Sequence, residues 1–404
     1  MNNIQSDFLK FQGQTNQSPY LIEVERAEGI YIYDKCGKSY MDMIAGVAVN
    51  NIGHSHPKVI KAIKNQVDKH LHVMVYGEFI QDSQLNFSKK LASLLPSSLS
   101  SVYAVNSGTE ANEAALKLVK RVTGRTELIS FRGSYHGSTH GSLSVSGNEV
   151  KKQAYRPLLP DVKFLTFNKI EDLEQVTTKT AGVIIETIQG DAGVRVPSIK
   201  FMKALRNRCT VTGTLLIFDE IQCGIGRAGK LFAFEHFEVI PDVLTLGKAL
   251  GGGMSIGALI SSQKNLYEFT HSPMLGHITT FGGHPVNCAA ALACLEVMET
   301  EIDFKEVERL GSILENVISQ NSEIKEVRRK GMMFAFDMES FERVEKVVKK
   351  CLEKGLISFW FLSHPYSFRL SPPLNITEEE IRKAARIILE AIEETCELIA
   401  SLER

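Results

Sequence analysis

The 404-residue sequence predicts an α/β fold: a mainly parallel sheet covered by helices on both faces, with a smaller α+β unit beside it. Three observations predict it. From about residue 80, short apolar runs alternate with amphipathic stretches of helical period. The runs are continuous rather than alternating, as in strands buried on both faces. Two of them, Leu215 to Phe218 and Val243 to Leu246, stop abruptly at Asp219-Glu220 and at Gly247-Lys248. In such sheets ligands bind at the carboxyl ends of strands.

The elements follow in order. Residues 1–20 read as an irregular arm with some helix. Tyr31 to Tyr33 and Ser39 to Met43 form a hairpin around Asp34-Lys35-Cys36-Gly37, because a glycine turn separates two β-rich runs. Gly53-His54-Ser55-His56-Pro57 is a loop before a helix at about 57–70. His54 and His56 lack a third metal ligand nearby, so a structural turn is the better reading. Ser83 to Leu95 is amphipathic and stops at Pro96. Val102 to Val105 is a strand, then NSGTEANEAALKLVKRVTG turns into a helix ending near Gly124. Glu127 to Phe131, Lys163 to Phe167, Gly182 to Ile185 and Gly257 to Ser261 complete the strands, with a helix between Ile199 and Cys209. An Ala-rich helix runs from Pro285 to about Met298. The remainder holds a helix at about 303–319, strands near Met332 to Met338 and Ser367 to Leu370, and a last helix to about Leu402. That helix opens on the capping-box pattern Thr377-Glu378-Glu379-Glu380.

Composition narrows the function class. A hydrophobic fraction of 44% supports a large core. A net charge of −1 carries no electrostatic footprint for nucleic acid or anionic membrane. The seven cysteines are scattered, with no C-x-x-C, which points to reduced thiols and a cytoplasmic protein. The first residues are polar, and no run approaches the ~18 apolar residues of a membrane span.

Four stretches carry chemistry. Asn106-Ser107-Gly108-Thr109-Glu110 joins a strand to a helix, where backbone N–H groups and the dipole favour an anion. An ordinary N-cap explains the same residues equally well. Gly224-Ile225-Gly226-Arg227-Ala228-Gly229 matches G-x-G-x-x-G, but Asp219 to Cys223 separate it from the strand, so it is not a dinucleotide fingerprint. Lys248 fails as a P-loop lysine, because Asp242 stands where the upstream glycine belongs and Ala249 replaces Ser/Thr. It remains an amine at a strand end, beside three glycines that let a ligand come close. Such an amine forms a Schiff base with a carbonyl. Joined to an anion seat at Gly108–Thr109 and a carboxylate at Asp219, it implies a phosphorylated aldehyde with a basic ring nitrogen, which is pyridoxal phosphate.

At this point the chain resembles the class III, fold-type I pyridoxal-phosphate aminotransferases, the acetylornithine, ornithine and ω-amino acid group. The resemblance rests on GIYIYDKCGKSYMDMIAGVAVNNIGHSHP, NSGTEANEAALKLVKR, SYHGST, IIETIQGDAGV, LLIFDEIQCGIGRAG, PDVLTLGKALGGG and TTFGGHP, in that order over nearly the whole chain. It implies a large domain with a mostly parallel seven-stranded sheet (51–290), a small domain from both chain ends (1–50 and 291–404) and a homodimer with shared sites. By the same resemblance Lys248 is the Schiff-base lysine and proton shuttle, and Asp219 pairs with the ring nitrogen. Gln222 lies near the ring hydroxyl, Tyr135 stacks on the ring with His136 beside it, and Glu186 sits close by. Ser107, Gly108 and Thr109 hold the phosphate, and Thr280 reaches the phosphate in the partner subunit. The implied reaction moves an amino group from an ω-amino donor to a 2-oxo acid such as 2-oxoglutarate. The alternatives are an aminomutase or racemase working on one substrate, and a catalytically weak protein that keeps the cofactor to hold its dimer together.

Two positions depart from the family's pattern. Arg369 aligns with an arginine that binds an α-carboxylate, and a fork-shaped guanidinium suits that task. In many relatives a glutamate masks that arginine; here the position is Asp191, one methylene shorter, and the bland alternative is a structural Arg369–Asp191 ion pair. Relatives carry an arginine in H-G-R-T that grips a substrate carboxylate; this chain has Ser138, which puts a standard acetylornithine or ornithine donor in question.

Overall fold

The computed structural model describes residues 2–402, and side chains up to Thr395. Cys396 therefore lies outside the described side chains. The seven strands of the largest sheet are β1 (Ser101–Val105), β2 (Glu127–Phe131), β3 (Val162–Leu165), β4 (Thr180–Glu186), β5 (Leu215–Asp219), β6 (Val243–Leu246) and β7 (Gly257–Ser261). Their spatial order is β1-β7-β6-β5-β4-β2-β3. Only β7 is antiparallel to its neighbours β1 and β6; the other pairs are parallel. Because β7 runs against both, β1 points the same way as β6. Six strands thus deliver their carboxyl ends to one edge.

Every residue of β4, β6 and β7 is buried. This explains why their sequences do not alternate. Helix α1 (Gly108–Thr123) turns Ala111, Ala114, Ala115, Leu118 and Val119 into the core and ends at Gly124 in the left-handed region. A methyl group on Gly182 would come within 2.7 Å of the Val119 side chain, so glycine lets α1 sit close on β4. Each fully buried Phe or Leu of this core contributes roughly 1.5–3 kcal/mol.

Two four-stranded sheets flank the large one. One joins Val24–Glu28, Tyr31–Asp34 and Ser39–Asp42 to the distant pair Leu356–Ile357; the other orders Glu326–Lys330, Met333–Asp337, Ser367–Leu370 and Phe359–Trp360. The expected hairpin is present, but the sequence reading did not place Val24–Glu28 or the helix Phe341–Glu353. That helix buries Val344, Val347, Val348 and Cys351, a helical spacing. Between the flanking sheet and the site, Ala45, Gly46, Val47 and Ala48 all hold positive φ, from 47° to 68°. Asp42 fixes this left-handed turn by accepting the amides of Ile44 at 3.1 Å and Gly46 at 2.9 Å.

His54 donates toward Asp42 at 2.9 Å, and His56 caps the Pro57–Lys69 helix. Cys36 is exposed, whereas Cys209, Cys223, Cys288, Cys294 and Cys351 are buried free thiols. Among the described residues, no helix is long and apolar enough to cross a membrane.

Candidate active site

A cavity of about 250 Å3 opens at the strand edge, lined by Gly108, Thr109, Tyr135, His136, Ser138, Glu186, Asp219, Gln222 and Lys248 together with Ile188 and Ile221. Most of the residues expected at a cofactor therefore meet in one place, although they span 140 positions of sequence.

Strand β5 ends in Asp219, and its neighbour β4 places Glu186 directly alongside. Asp219 Oδ2 accepts Asn112 Nδ2 at 2.8 Å and faces His136 Nδ1 at 2.7 Å, while Oδ1 accepts Ile221 N at 3.0 Å. A carboxylate only accepts, so His136 carries its proton on Nδ1. Its other ring nitrogen is buried without a partner among the described residues. Asn112 was missed by the sequence reading. It is wholly buried, donates also to the His136 carbonyl at 2.7 Å and accepts Thr245 Oγ1 at 2.8 Å. An amide amid the apolar face of an Ala-rich helix was the signal for it.

Glu220, next in sequence, takes no part. It turns away and accepts the amides of Ala233 at 2.7 Å and Phe234 at 2.6 Å, and burial pushes its carboxyl up to about 8. Glu186 accepts Tyr135 N at 2.9 Å and Gly190 N at 3.0 Å, tying two loops of the site together. Burial lifts it to about 7, with Asp219 adding to the rise.

Lys248 follows Gly247 at a φ of 44°, a left-handed conformation that costs a non-glycine residue about 1–3 kcal/mol. Its side chain lines the cavity, and its amine has no hydrogen-bond partner among the described residues. Burial drives the amine below the usual lysine range, and the charges of Asp219 and Glu186 partly offset this.

At the anion end both readings of the turn hold part of the truth. Ser107 is the N-cap of α1, its hydroxyl accepting Glu110 N at 3.3 Å. Gly108 and Thr109 line the cavity at the helix N-terminus. A Cβ on Gly108 would lie 2.7 Å from Ile221, so only glycine leaves the backbone there. Thr280 is exposed and lies outside the cavity lining.

Gln222 also borders a second, narrow cleft, lined by Ala48, Gly190, Arg227, Phe361 and Arg369. Arg369 is 9% exposed, with its guanidinium 5.4 Å from the Phe359 ring centre and 5.8 Å from that of Phe361. Its Nε is buried without a partner. The considered Arg369–Asp191 ion pair is absent among the described residues. Asp191 instead accepts Lys151 Nζ at 2.6 Å and Ser363 Oγ at 2.6 Å. Lys151, another residue the sequence reading missed, lies 5.1 Å from the centre of the Tyr135 ring. Ser138 Oγ sits 3.2 Å from the Tyr135 hydroxyl and adds no charge. Gly224 to Gly229 form the turn beyond Gln222, with Arg227 wholly buried and donating to Asn51 and to the carbonyls of Met332 and Pro372.

The residues fit pyridoxal phosphate. An amine without a hydrogen-bond partner among the described residues, a carboxylate held by three donors, an aromatic ring and a helix N-terminus converge on a cavity sized for a small ligand.

Comparison with known proteins agrees. The family described as Aminotransferase class-III matches residues 12–392. An acetylornithine aminotransferase of Methanocaldococcus jannaschii is 41% identical over 88% of this chain and 89% of its own length. A [LysW]-aminoadipate semialdehyde/glutamate semialdehyde transaminase of Sulfolobus acidocaldarius is 35% identical over 92% and 95%. A solved ornithine aminotransferase of Toxoplasma gondii, with pyridoxal phosphate partly occupying its active site, superposes with a TM-score of 0.89 at 29% identity, covering 97% and 95%. The chain belongs to the class III aminotransferase family and is a pyridoxal-phosphate-dependent transaminase.

Proposed function

We propose that this transaminase takes an ω-amino group from an acetylornithine- or ornithine-like donor and passes it to a 2-oxo acid such as 2-oxoglutarate. The observation that carries the acceptor is Arg369: a buried guanidinium without a counter-ion among the described residues, in a cleft that meets the Lys248 cavity at Gln222. Such a fork suits a carboxylate. The donor class follows the names of the relatives.

When bound, pyridoxal phosphate supplies the carbonyl and the electron-withdrawing ring. Lys248 Nζ, its proton affinity lowered by burial, is the amine that would hold the carbonyl and, once displaced by the donor amine, take the proton from the amine-bearing carbon of the donor. Asp219, fixed by Asn112 and His136, holds a positive charge on the ring nitrogen. Tyr135 would cover the ring face, Gln222 would meet its hydroxyl, and Glu186 braces both loops. Gly108 and Thr109 offer amides to the phosphate, Ser107 shapes the turn, and Thr280 serves the partner subunit's site in a homodimer. Arg369 seats the carboxylate, with Asp191 and Ser138 shaping its approach. We further propose the division 1–50, 51–290 and 291–404, supported by pairing of the Ser39–Asp42 and Leu356–Ile357 strands, and a cytoplasmic enzyme.

The test mixes the cofactor-loaded enzyme with ω-amino acids, α-amino acids and simple amines, following loss of the cofactor's visible absorption. An ω-amino donor should bleach it, and a 2-oxo acid should restore it. Turnover without any 2-oxo acid would sink the reading in favour of a mutase or racemase.

A further inference from the structure

Asp191 stands within electrostatic range of two cations, and only one of them holds it. Oδ2 accepts both Lys151 Nζ and Ser363 Oγ at 2.6 Å. Oδ1 accepts Leu362 N at 3.2 Å. Asn148 Nδ2 donates to Ser363 Oγ at 3.0 Å. Both carboxylate oxygens are thus taken, by groups from two other segments of chain. The ammonium of Lys151 is fixed a second time against the Tyr135 ring.

Gly190, the residue before Asp191, lines the cleft that holds Arg369, yet no hydrogen bond or ion pair joins Arg369 to Asp191 among the described residues. A buried guanidinium without an anion is costly, by several kcal/mol. A carboxylate at the wall of that cleft has reason to pair with the guanidinium unless another cation holds it. Among the described residues, the only charged group bonded to Asp191 is Lys151. Nothing at position 138 competes, because Ser138 is neutral.

We propose that Lys151 is a positioning residue that sets substrate specificity: by holding Asp191 it keeps Arg369 open to the carboxylate of a 2-oxo dicarboxylic acid. The inference rests on Arg369 being the carboxylate seat. Lys151 itself does not touch the substrate. Its removal frees Asp191 to pair with Arg369 and close the seat from within. Removal of Asp191 as well leaves Arg369 open again, with or without Lys151.

The experiment titrates glutarate, an unreactive dicarboxylate, into cofactor-loaded enzyme by calorimetry. It compares the natural protein with Lys151→Met, Asp191→Asn, the double variant and Arg369→Gln. Lys151→Met should weaken glutarate binding about tenfold, a usual coupling between charged sites. The double variant should return to within about twofold of Asp191→Asn, the scatter expected of uncoupled changes. In Lys151→Met the KM for 2-oxoglutarate should rise in step with the weaker glutarate binding, while kcat at saturating acceptor barely moves. A double variant as weak as Lys151→Met overturns the proposal, because the ammonium would then act on the ligand itself. Natural affinity in Lys151→Met alongside weak binding in Arg369→Gln overturns it while leaving Arg369 as the seat. Natural affinity in Arg369→Gln removes the seat and the proposal together. Retained visible absorption of the cofactor reports folding, and Lys151→Gln replaces any Lys151→Met protein that lacks it.

Discussion

The two ends of the active site are built on different plans. At the cofactor end, side chains stand at the mouths of adjacent parallel strands. Asp219 is held by Asn112, His136 and the Ile221 amide, and Glu186 by two loop amides. At the substrate end the groups come from a 3-10 turn, a loop and a C-terminal hairpin, and one guanidinium has no hydrogen bond or ion pair among the described residues. At the first end both carboxylates are fixed before anything binds, and the Lys248 amine is left for the cofactor. The second leaves a charge for the substrate to complete. The contrast teaches where change is tolerated: the sheet edge is shared machinery, and the loops decide what is processed.

The largest expected effect lies at the cofactor end. Lys248→Ala should lower kcat by at least about 10⁴-fold, since nucleophile and proton carrier vanish together. Single-turnover loss of cofactor absorption on adding donor checks it, and natural rates would break the scheme. Asp219→Asn should cost about 10²–10³-fold in kcat, a magnitude typical of removing one charge-stabilising group. Asn112 and His136 remain to hold the amide, so cofactor loading should survive; a variant with full activity would move the electron-withdrawing role away from Asp219.

A smaller effect belongs to the substrate end. Ser138→Arg adds a cation beside Tyr135. The KM for donors with a second carboxylate should fall about tenfold, as for one hydrogen bond to a charged group. KM values for acetylornithine and for a simple amine make the comparison, and equal shifts for both would remove position 138 from donor recognition.

The smallest effect concerns Glu220, buried behind the site. Its carboxyl stands at about 8 instead of 4.5, because burial outweighs the two amides it accepts. The folded chain keeps that proton where the unfolded chain releases it. This contribution to stability is therefore complete below about pH 4.5 and is lost as pH rises to about 8. Glu220→Gln should flatten the slope of unfolding free energy over that window by up to about 1.4 kcal/mol per pH unit. Denaturant titrations at several pH values measure it, and an unchanged slope would assign the proton elsewhere.

The same contrast explains what was legible in the amino-acid order. Strand-end residues announce themselves, because a buried apolar run that stops at Asp219 or at Gly247-Lys248 is a local pattern. Turns such as Asn106 to Glu110 are local too, though one motif served as cap and anion seat at once. The Lys151–Asp191 pair was not legible, because it depends on which of two cations a carboxylate reaches through space. Asn112 and the Phe341–Glu353 helix carried signals that went unread: a lone amide on an apolar helix face, and four buried residues at helical spacing. The strand pairing of Ser39–Asp42 with Leu356–Ile357 had none, since two residues are too few to declare a strand.

That last pairing has a consequence for synthesis. Lys38 and Glu353, which share a hydrogen bond of 2.9 Å beside it, are 315 positions apart. At roughly 5–20 residues per second the ribosome needs about 15–60 s to cover that distance. For that interval the edge bearing Tyr40 and Met41, both buried in the finished protein, has no covering strand. The nascent chain thus carries an open β-edge for that interval, the kind of template on which aggregation or chaperone capture begins.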